Sequence, residues 1–351
     1  MLRAVVEDFT SDGADVWTVW HSSWGAHPFS DRVRIAATLE AGLEECDTAL
    51  VIAPESEGVL EQLTRQVEHS PCQLLGCRSA GVHLAADKWA LFQHFEKRGI
   101  ATLPTELIGT QEWNAGTWSP GHFPCVLKPR FGAGSQDTYL LRDRQDLDRL
   151  RPELMRTRSL AEGICQPYFD GDAVSVGVWC DTERGIAVPF PMATQHLSDD
   201  DRLRYRGGIL PSPAFGNEQC EVLAAQACHT VPGLRGYVGV DLIVPAQNVP
   251  RETFHQKTSP HSVPRGTLRQ NVPRGTFSHG ASTQDVSRGT FVVEINPRLT
   301  TSYVGYRQLA KQNLSHCWRE PAAAKLLEWR HGCIQFDPAG DWKWLAEGGR
   351  A

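Results

Sequence analysis

The sequence has no C-x-x-C pair and no zinc-type ligand spacing, although it carries ten cysteines. Thiols scattered in this way exclude a disulfide framework and a structural zinc module. They read as buried, reduced side chains. No apolar stretch is long enough to span a membrane, and the N-terminus does not read as a signal peptide. Charge of one sign is also scarce: the formal net charge is −6. So mild an acidity gives no electrostatic footprint for nucleic acid. No G-x-G-x-x-G follows an early strand, which disfavours a dehydrogenase. The absence of G-x-x-x-x-G-K-[ST] argues against a Walker-type loop. The expectation that remains is a cytoplasmic globular enzyme with no nucleic-acid or membrane partner. Its 351 residues suffice for two or three α/β lobes.

Two segments stand against these absences. Near the C-terminus the chain reads FVVEINPRLTTSYVG. Residues 291–293 read as a strand whose end carries Glu294, Asn296 and Arg298 at alternate positions. Side chains two apart on a strand share a face, so a carboxylate, an amide oxygen and a guanidinium point the same way. The two oxygen groups are hard ligands suited to Mg²⁺, and guanidinium suits phosphate. A polar strand end facing water is the plainer alternative. Upstream, FPCVLKPRFGAGSQDTYLL gives a strand at 125–127 and then Lys128. A small-residue loop (Gly132, Ala133, Gly134, Ser135) and a second strand at 138–141 follow. Glycines let backbone N–H groups close on an anion, and a neighbouring lysine adds a point charge. A glycine hairpin beside a chance lysine is the competing reading.

Between them, CQPYFDGDAVSVGVW reads as strand, linker and strand, and GYVGVDLIV as a strand with one acid, Asp241, among apolar residues. A buried aspartate is costly unless paired or bound to metal. The order is a lysine with a glycine loop, a hinge followed by Ser175, a strand aspartate, then E-x-N-x-R. In this combination the chain resembles the ATP-grasp superfamily of carboxylate–amine ligases, over roughly residues 85–310. ADKWALFQHFEKRGIATLPT resembles the helix and crossover that open the central lobe of that fold. Three further segments look most like the tyramine–glutamate ligase group of methanofuran-type cofactor biosynthesis. They are ALVIAPESEGVLEQL, RYRGGILPSP and EINPRLTTSYVGYRQL.

The resemblance implies an α/β fold of α+β lobes. A Rossmann-like lobe at 1–85 precedes an ATP-grasp central lobe at 86–170 and a C-terminal lobe at 171–351. Such lobes normally open with a strand, whereas MLRAVVEDF reads as a helix, so the first lobe is expected either to lack its opening strand or to have diverged. The implied cofactors are ATP and Mg²⁺, with Mn²⁺ as a substitute. Asp241, Glu294 and Asn296 would hold the metal, Lys128 the α/β-phosphates, and Lys88 a second phosphate contact. Gly132, Gly134 and Ser135 would form a lid over the phosphates. The hinge Gln166–Phe169, with Tyr168, would offer backbone groups to adenine, and Asp172 would touch ribose or simply turn the chain. Many relatives carry glutamate where Pro167 stands. Arg298 and Lys128 are the implied catalytic residues. Thr300, Thr301 and Ser302 could line an acceptor pocket, and HLSDDDRLRYRGGILPSP looks like a flexible cover of the substrate site with Arg204, Tyr205 and Arg206 facing in, or else a solvated charged loop.

The implied reaction activates a carboxylate, L-glutamate by likeness, as an acyl-phosphate. It then couples it to an amine such as tyramine, releasing ADP and phosphate. The alternatives are a non-catalytic nucleotide-binding scaffold and a ligase with a different amino-acid or peptide acceptor. The partners implied are small-molecule carboxylates and amines, and a homodimer is compatible.

One insertion stands out. Between residues 246 and 289 the chain carries VPRETF, VPRGTL, VPRGTF and VSRGTF, beginning at Val249, Val263, Val272 and Val286. Their spacing is shorter than solenoid units, and so polar a stretch buries too little to offset its ordering entropy. It reads as an expanded hairpin tip, or as a basic arm for an anionic partner. In the tail, residues 320–329 read as a helix, and Trp329, Trp342 and Trp344 as packing residues.

Overall fold

The computed structural model describes residues 1–30, 32–213, 217–246 and 289–345. The first three repeats lie outside the described residues, and of the fourth only Gly289, Thr290 and Phe291 are described.

Helix α1 (Leu2–Ser11) forms because Val5, Val6 and Phe9 recur at helical spacing. Strands β1 (Val16–Val19) and β2 (Val33–Ala36) pair in parallel. Helix α2 (Leu39–Glu44), capped by the Thr38 hydroxyl, leads to β3 (Thr48–Ala49). Helix α3 (Val59–Glu68) then crosses to β4 (Gln73–Leu74), parallel to β3, and α4 (Ser79–Ala86) follows. This is the strand–helix alternation that the sequence predicts.

Helix α5 (Lys88–Arg98) is cut sharply at both ends. The Asp87 carboxylate accepts the N–H groups of Trp89 and Ala90 at 3.1 Å, and Gly99 stops the helix at φ +72°. There follow β5 (Glu106–Leu107), α6 (Thr110–Asn114), β6 (Cys125–Pro129), β7 (Tyr139–Leu141), α7 (Arg144–Leu154) and β8 (Gly163–Pro167). They build an antiparallel sheet in the order β5-β8-β6-β7. Leu147, Leu150 and Leu154 of α7 recur at helical spacing and bury against Leu127, Leu141 and Cys165 of that sheet.

The largest sheet begins with β9 (Gly171–Asp181), β10 (Ile186–Pro189), β11 (Ala193–Leu197) and β12 (Tyr205–Leu210). Helix α8 (Asn217–Thr230) precedes β13 (Arg235–Pro245) and β14 (Phe291–Asn296). Helices α9 (Tyr303–Leu309) and α10 (Ser315–Arg319) and strands β15 (Cys333–Phe336) and β16 (Trp342–Leu345) complete the described chain. The order is β14-β13-β9-β11-β12-β15-β16, with β10 beside β9. Strand β9 alternates strictly. Val174, Val176 and Val178 pack with α5 and α8, whereas Trp179 joins Tyr237, Tyr303, Tyr306 and Trp318 in a second core. Gly177 faces that aromatic core, where a Cβ would lie 2.7 Å from the Tyr306 ring.

Helix α1 is tied to this last region. Buried Asp8 accepts from the Tyr303 hydroxyl and from Arg307 Nε, each at 2.9 Å. Burial raises the Asp8 carboxyl above its usual range, against the pull of Arg307.

Two tail expectations are corrected. In place of a helix over 320–329, a 3₁₀ turn spans Pro321–Leu326. Glu320 and Leu327 are extended at its ends, and Pro321 supplies no N–H to carry a helix across. Trp329 does pack, against Phe190 at 4.9 Å. Trp342 and Trp344, on edge strand β16, are 41% and 43% exposed.

Candidate active site

A cavity of ≈ 730 Å³ lies between the four-stranded and the large sheet. Strands β6, β7 and β8 line one side, and β9, β11, β13 and β14 the other. That volume suits a nucleotide-sized ligand. The fold brings Lys88, Lys128, Gly132, Gly134, Ser135, Gln166, Tyr168, Phe169, Asp172, Asp241 and Glu294 to this one space, although they span two hundred residues of sequence. Asn296 and Arg298 are not among its lining residues.

The large sheet contributes a polar row that crosses four strands. Ala193 of β11 stands opposite Ser175 of β9, Ser175 opposite Asp241 of β13, and Asp241 opposite Glu294 of β14. Gln195, two residues along β11 from Ala193, donates from Nε2 to Asp241 Oδ1 at 2.8 Å. Asn296, two along from Glu294, donates from Nδ2 to Asp241 Oδ2 at 2.9 Å. The Asp241 carboxyl stands directly opposite Glu294 across the β13–β14 pair. Burial first, and then the charge of Glu294, raise Asp241 far above the usual carboxylate range. Burial works the same way on Glu294, but Lys88 and Lys128 outweigh it and hold Glu294 low. Two adjacent buried acids repel one another, and a bound cation would relieve that repulsion.

This donor set fits a divalent cation. Two carboxylates side by side, with a carboxamide next to them, are hard oxygen ligands. Mg²⁺ typically takes one or two carboxylates and completes its shell with water and substrate phosphates. Among the described residues no group of three His, Cys, Asp or Glu side chains is placed to hold a metal ion, so the set is two acids and an amide.

Two lysines face the acids. Lys88 Nζ lies 3.4 Å from Glu294 Oε2 and donates to Gly132 O at 2.8 Å, linking the acidic pair to the glycine loop. Lys128 is 8% exposed. Burial pushes it down to about 8, aided by Lys88 and opposed by Glu294 and Asp241. Arg130, just past the end of β6, grips Asp87 through Nε and Nη2 at 2.7 and 2.5 Å. This pair pins the start of α5, and hence Lys88, to the end of β6.

The loop after β6 needs its small residues. Gly132 and Gly134 adopt φ +152° and +67°, and Ser135 itself sits at φ +59°. At the hinge, the Gln166 side chain donates to Thr105 Oγ1 at 2.9 Å, and the Tyr168 N–H to Pro124 O at 3.1 Å. Pro167 has no N–H, so the hinge carries fewer backbone donors than the sequence suggests. Phe169 stacks on Phe291 at 5.8 Å, and Asp172 lies exposed on the rim.

A strap between β11 and β12 roofs the cavity, with Ser198, Asp199, Asp200 and Leu203 in its lining. It leaves the large sheet and docks on the edge of the small one. Leu140 N–H of β7 donates to Asp201 O at 2.7 Å, Arg149 Nη2 of α7 reaches Asp201 Oδ2 at 2.9 Å, and Arg142 pairs with the same carboxylate. Arg202 pairs with Glu153 and lies 4.0 Å over the Tyr139 ring. Arg204 and Arg206 are exposed, and Tyr205 is half-buried in the aromatic core.

Arg298 parts company with Glu294 and Asn296 because the strand ends between them. Its N–H donates to Asn296 O at 2.8 Å, a tight turn about Pro297 that breaks the alternation. The guanidinium pairs instead with buried Glu55, Nε to Oε2 at 2.7 Å. Thr300 and Ser302 hydrogen-bond the Tyr237 hydroxyl at 2.8 and 3.0 Å, which makes a hydroxyl cluster at that turn. The sequence reading missed Gln195, Glu55 and the strap contacts. A lone polar residue in ATQHL carries no spacing signal, and pairings across lobes leave none.

Two families match the chain. One is described as an ATP-grasp domain, over residues 85–253, and the other as a pre ATP-grasp 3 domain, over residues 16–82. Among known proteins the chain is similar to a D-alanine–D-alanine ligase of Desulfovibrio desulfuricans, 25% identical over 59% of this chain and 67% of that one. It is also similar to a tyramine–L-glutamate ligase of Methanocaldococcus fervens, 26% identical over 57% of this chain and 55% of that one. The chain thus spans about half the length of the tyramine–L-glutamate ligase it matches. The fold is shared with a biotin carboxylase of Campylobacter jejuni in complex with a nucleotide, at a TM-score of 0.66 and 14% identity. That match covers 95% of this chain and 72% of that one.

Proposed function

We propose that this chain, which belongs to the ATP-grasp superfamily of ligases, activates a carboxylate with ATP and joins it to an amine. The observation that carries the reading is the meeting of Lys88, Lys128, Asp241 and Glu294 in one cavity between two sheets. Two cations and two adjacent acids suit a Mg-nucleotide, whose charge needs both kinds of partner.

In this reading Asp241, Glu294 and Asn296 would hold a divalent cation, which would supply neutralisation of phosphate charge. Lys128 and Lys88 bind phosphate oxygens from the opposite side, and the Gly132–Ser135 loop covers them. The strap at 198–204 excludes water. A substrate carboxylate oxygen attacks the γ-phosphorus, the bond to the β-phosphate oxygen breaks, and ADP leaves. A neutral amine then attacks the acyl carbon, loses a proton, and expels inorganic phosphate. Arg298 lies outside the cavity in a buried pair with Glu55, so in this reading it holds the turn after β14 and is not assigned to the transferred group.

The names of the curated relatives support amino-acid substrates, with L-glutamate and a tyramine-like amine as the pair to try first. The protein is to be incubated with Mg·ATP and each substrate singly, then together. ADP and phosphate released only when both are present supports the proposal. Release of AMP and pyrophosphate sinks the acyl-phosphate route.

A further inference from the structure

We infer that Gln195 is a positioning residue for the metal site, acting through Asp241; the inference rests on the reading of that site given above. The Asp241 carboxylate is held from both sides by carboxamides. Gln195 Nε2 takes Oδ1 at 2.8 Å, and Asn296 Nδ2 takes Oδ2 at 2.9 Å. One bond to each oxygen fixes the plane of the carboxylate. The remaining lone pairs are left toward Glu294 and the cavity. With one amide alone, the group could rotate about its Cβ–Cγ bond and lose that aim.

The sheet is built to let Gln195 do this. Gln195 is on β11 and Asp241 on β13, so the side chain must cross β9. The β9 residues on its route are small: Ala173 and Ser175 pair with Ile243 and Asp241 in register. A larger side chain at either would block the crossing. Strand β11 is also irregular at this point. Its register with β12 shifts between Gln195 and Leu197, and such a bulge re-aims a side chain. Opposite Gln195 stands Gly208, where a Cβ would lie 2.2 Å from Thr194 O, so β12 can approach only as glycine. The RGGIL segment thus serves the placement of Gln195 as well as the strand.

A donor that orients a metal-binding carboxylate typically contributes 10–100-fold to metal affinity. The test is Mn²⁺ binding to the full chain in the presence of ADP, read from the free-Mn²⁺ electron paramagnetic resonance signal. Gln195→Met keeps the length and removes the donor. Its Mn²⁺ affinity is expected to fall about tenfold or more, a larger loss than any in metal-free ADP affinity, with the far-ultraviolet circular dichroism of the folded wild type. Gln195→Asn keeps an amide one methylene too short, and an intermediate loss is expected; it carries the test if the methionine variant does not fold. Mn²⁺ affinity within about twofold of wild type in a folded variant, against the 10–100-fold range, overturns the inference and leaves the proposed function standing. Wild-type protein that binds no Mn²⁺ overturns both.

Discussion

Arg298 Nε donates to Glu55 Oε2 at 2.7 Å, and this one contact joins the loop after β3 to the turn that ends β14. Both side chains are largely buried, at 14% and 4% exposure. Breaking a buried pair by removing one partner strands the other charge, which costs more than the pair itself contributes. Arg298→Ala is therefore expected to destabilise the fold by about 3 kcal/mol. The double variant with Glu55→Ala is expected to lose less than the sum of the two single changes. Urea unfolding of the three variants decides it, and strict additivity would show that the pair is not coupled.

Glu294→Ala should leave the fold intact and lower turnover on the order of a hundredfold or more. The carboxylate is only 19% exposed and pairs with Lys88, so the variant is expected to lose some stability while still folding. Coupled ADP-release kinetics, with circular dichroism as the folding control, measure both halves. Unchanged turnover would remove Glu294 from the chemistry.

Lys128 gives a pH signature. Burial holds it down to about 8, whereas phosphate brought beside it favours the charged form and raises it again. Above pH 8 the lysine is largely neutral before nucleotide arrives and charged afterwards. Binding therefore takes up a proton there, and affinity falls as pH rises. Calorimetry in buffers of different ionisation enthalpy at pH 8.5 should detect this uptake, and Lys128→Met should abolish it. Uptake that survives the substitution assigns the proton elsewhere.

The strap is held by exposed and half-exposed ion pairs, which contribute little to stability and weaken with salt. Asp201→Asn is expected to leave the thermal midpoint nearly unchanged and to speed release of a fluorescent ADP analogue several-fold. Added salt should speed release from wild type and have less effect on the variant. Stopped-flow traces with equal salt dependence in both proteins would count against a gating role.

Much of this arrangement was legible in the sequence wherever one segment carried its own pattern. Alternation in FVVEIN placed Glu294 and Asn296 on one face, and the glycines after Lys128 announced a tight loop. Reading failed where geometry depended on partners far away. E-x-N-x-R looks continuous, yet Pro297 ends the strand before Arg298, and only Glu55 shows where the guanidinium goes. Gln195 reads as an ordinary strand residue, because its role depends on small side chains on another strand. Residues 320–329 carry helix formers, yet Leu327 is extended and ends the turn at Leu326, a break that no residue pattern in the segment announces.

The anchor of α1 has a temporal side. Asp8 and Tyr303 are 295 residues apart. At synthesis rates of about 5–20 residues per second, ~15–60 s separate their emergence from the ribosome. Until then Asp8 has neither Tyr303 nor Arg307 to bond, although Ala4 and Val5 can already meet Leu75. The buried acid is therefore completed late in synthesis, after the apolar face of its helix has found its first neighbours.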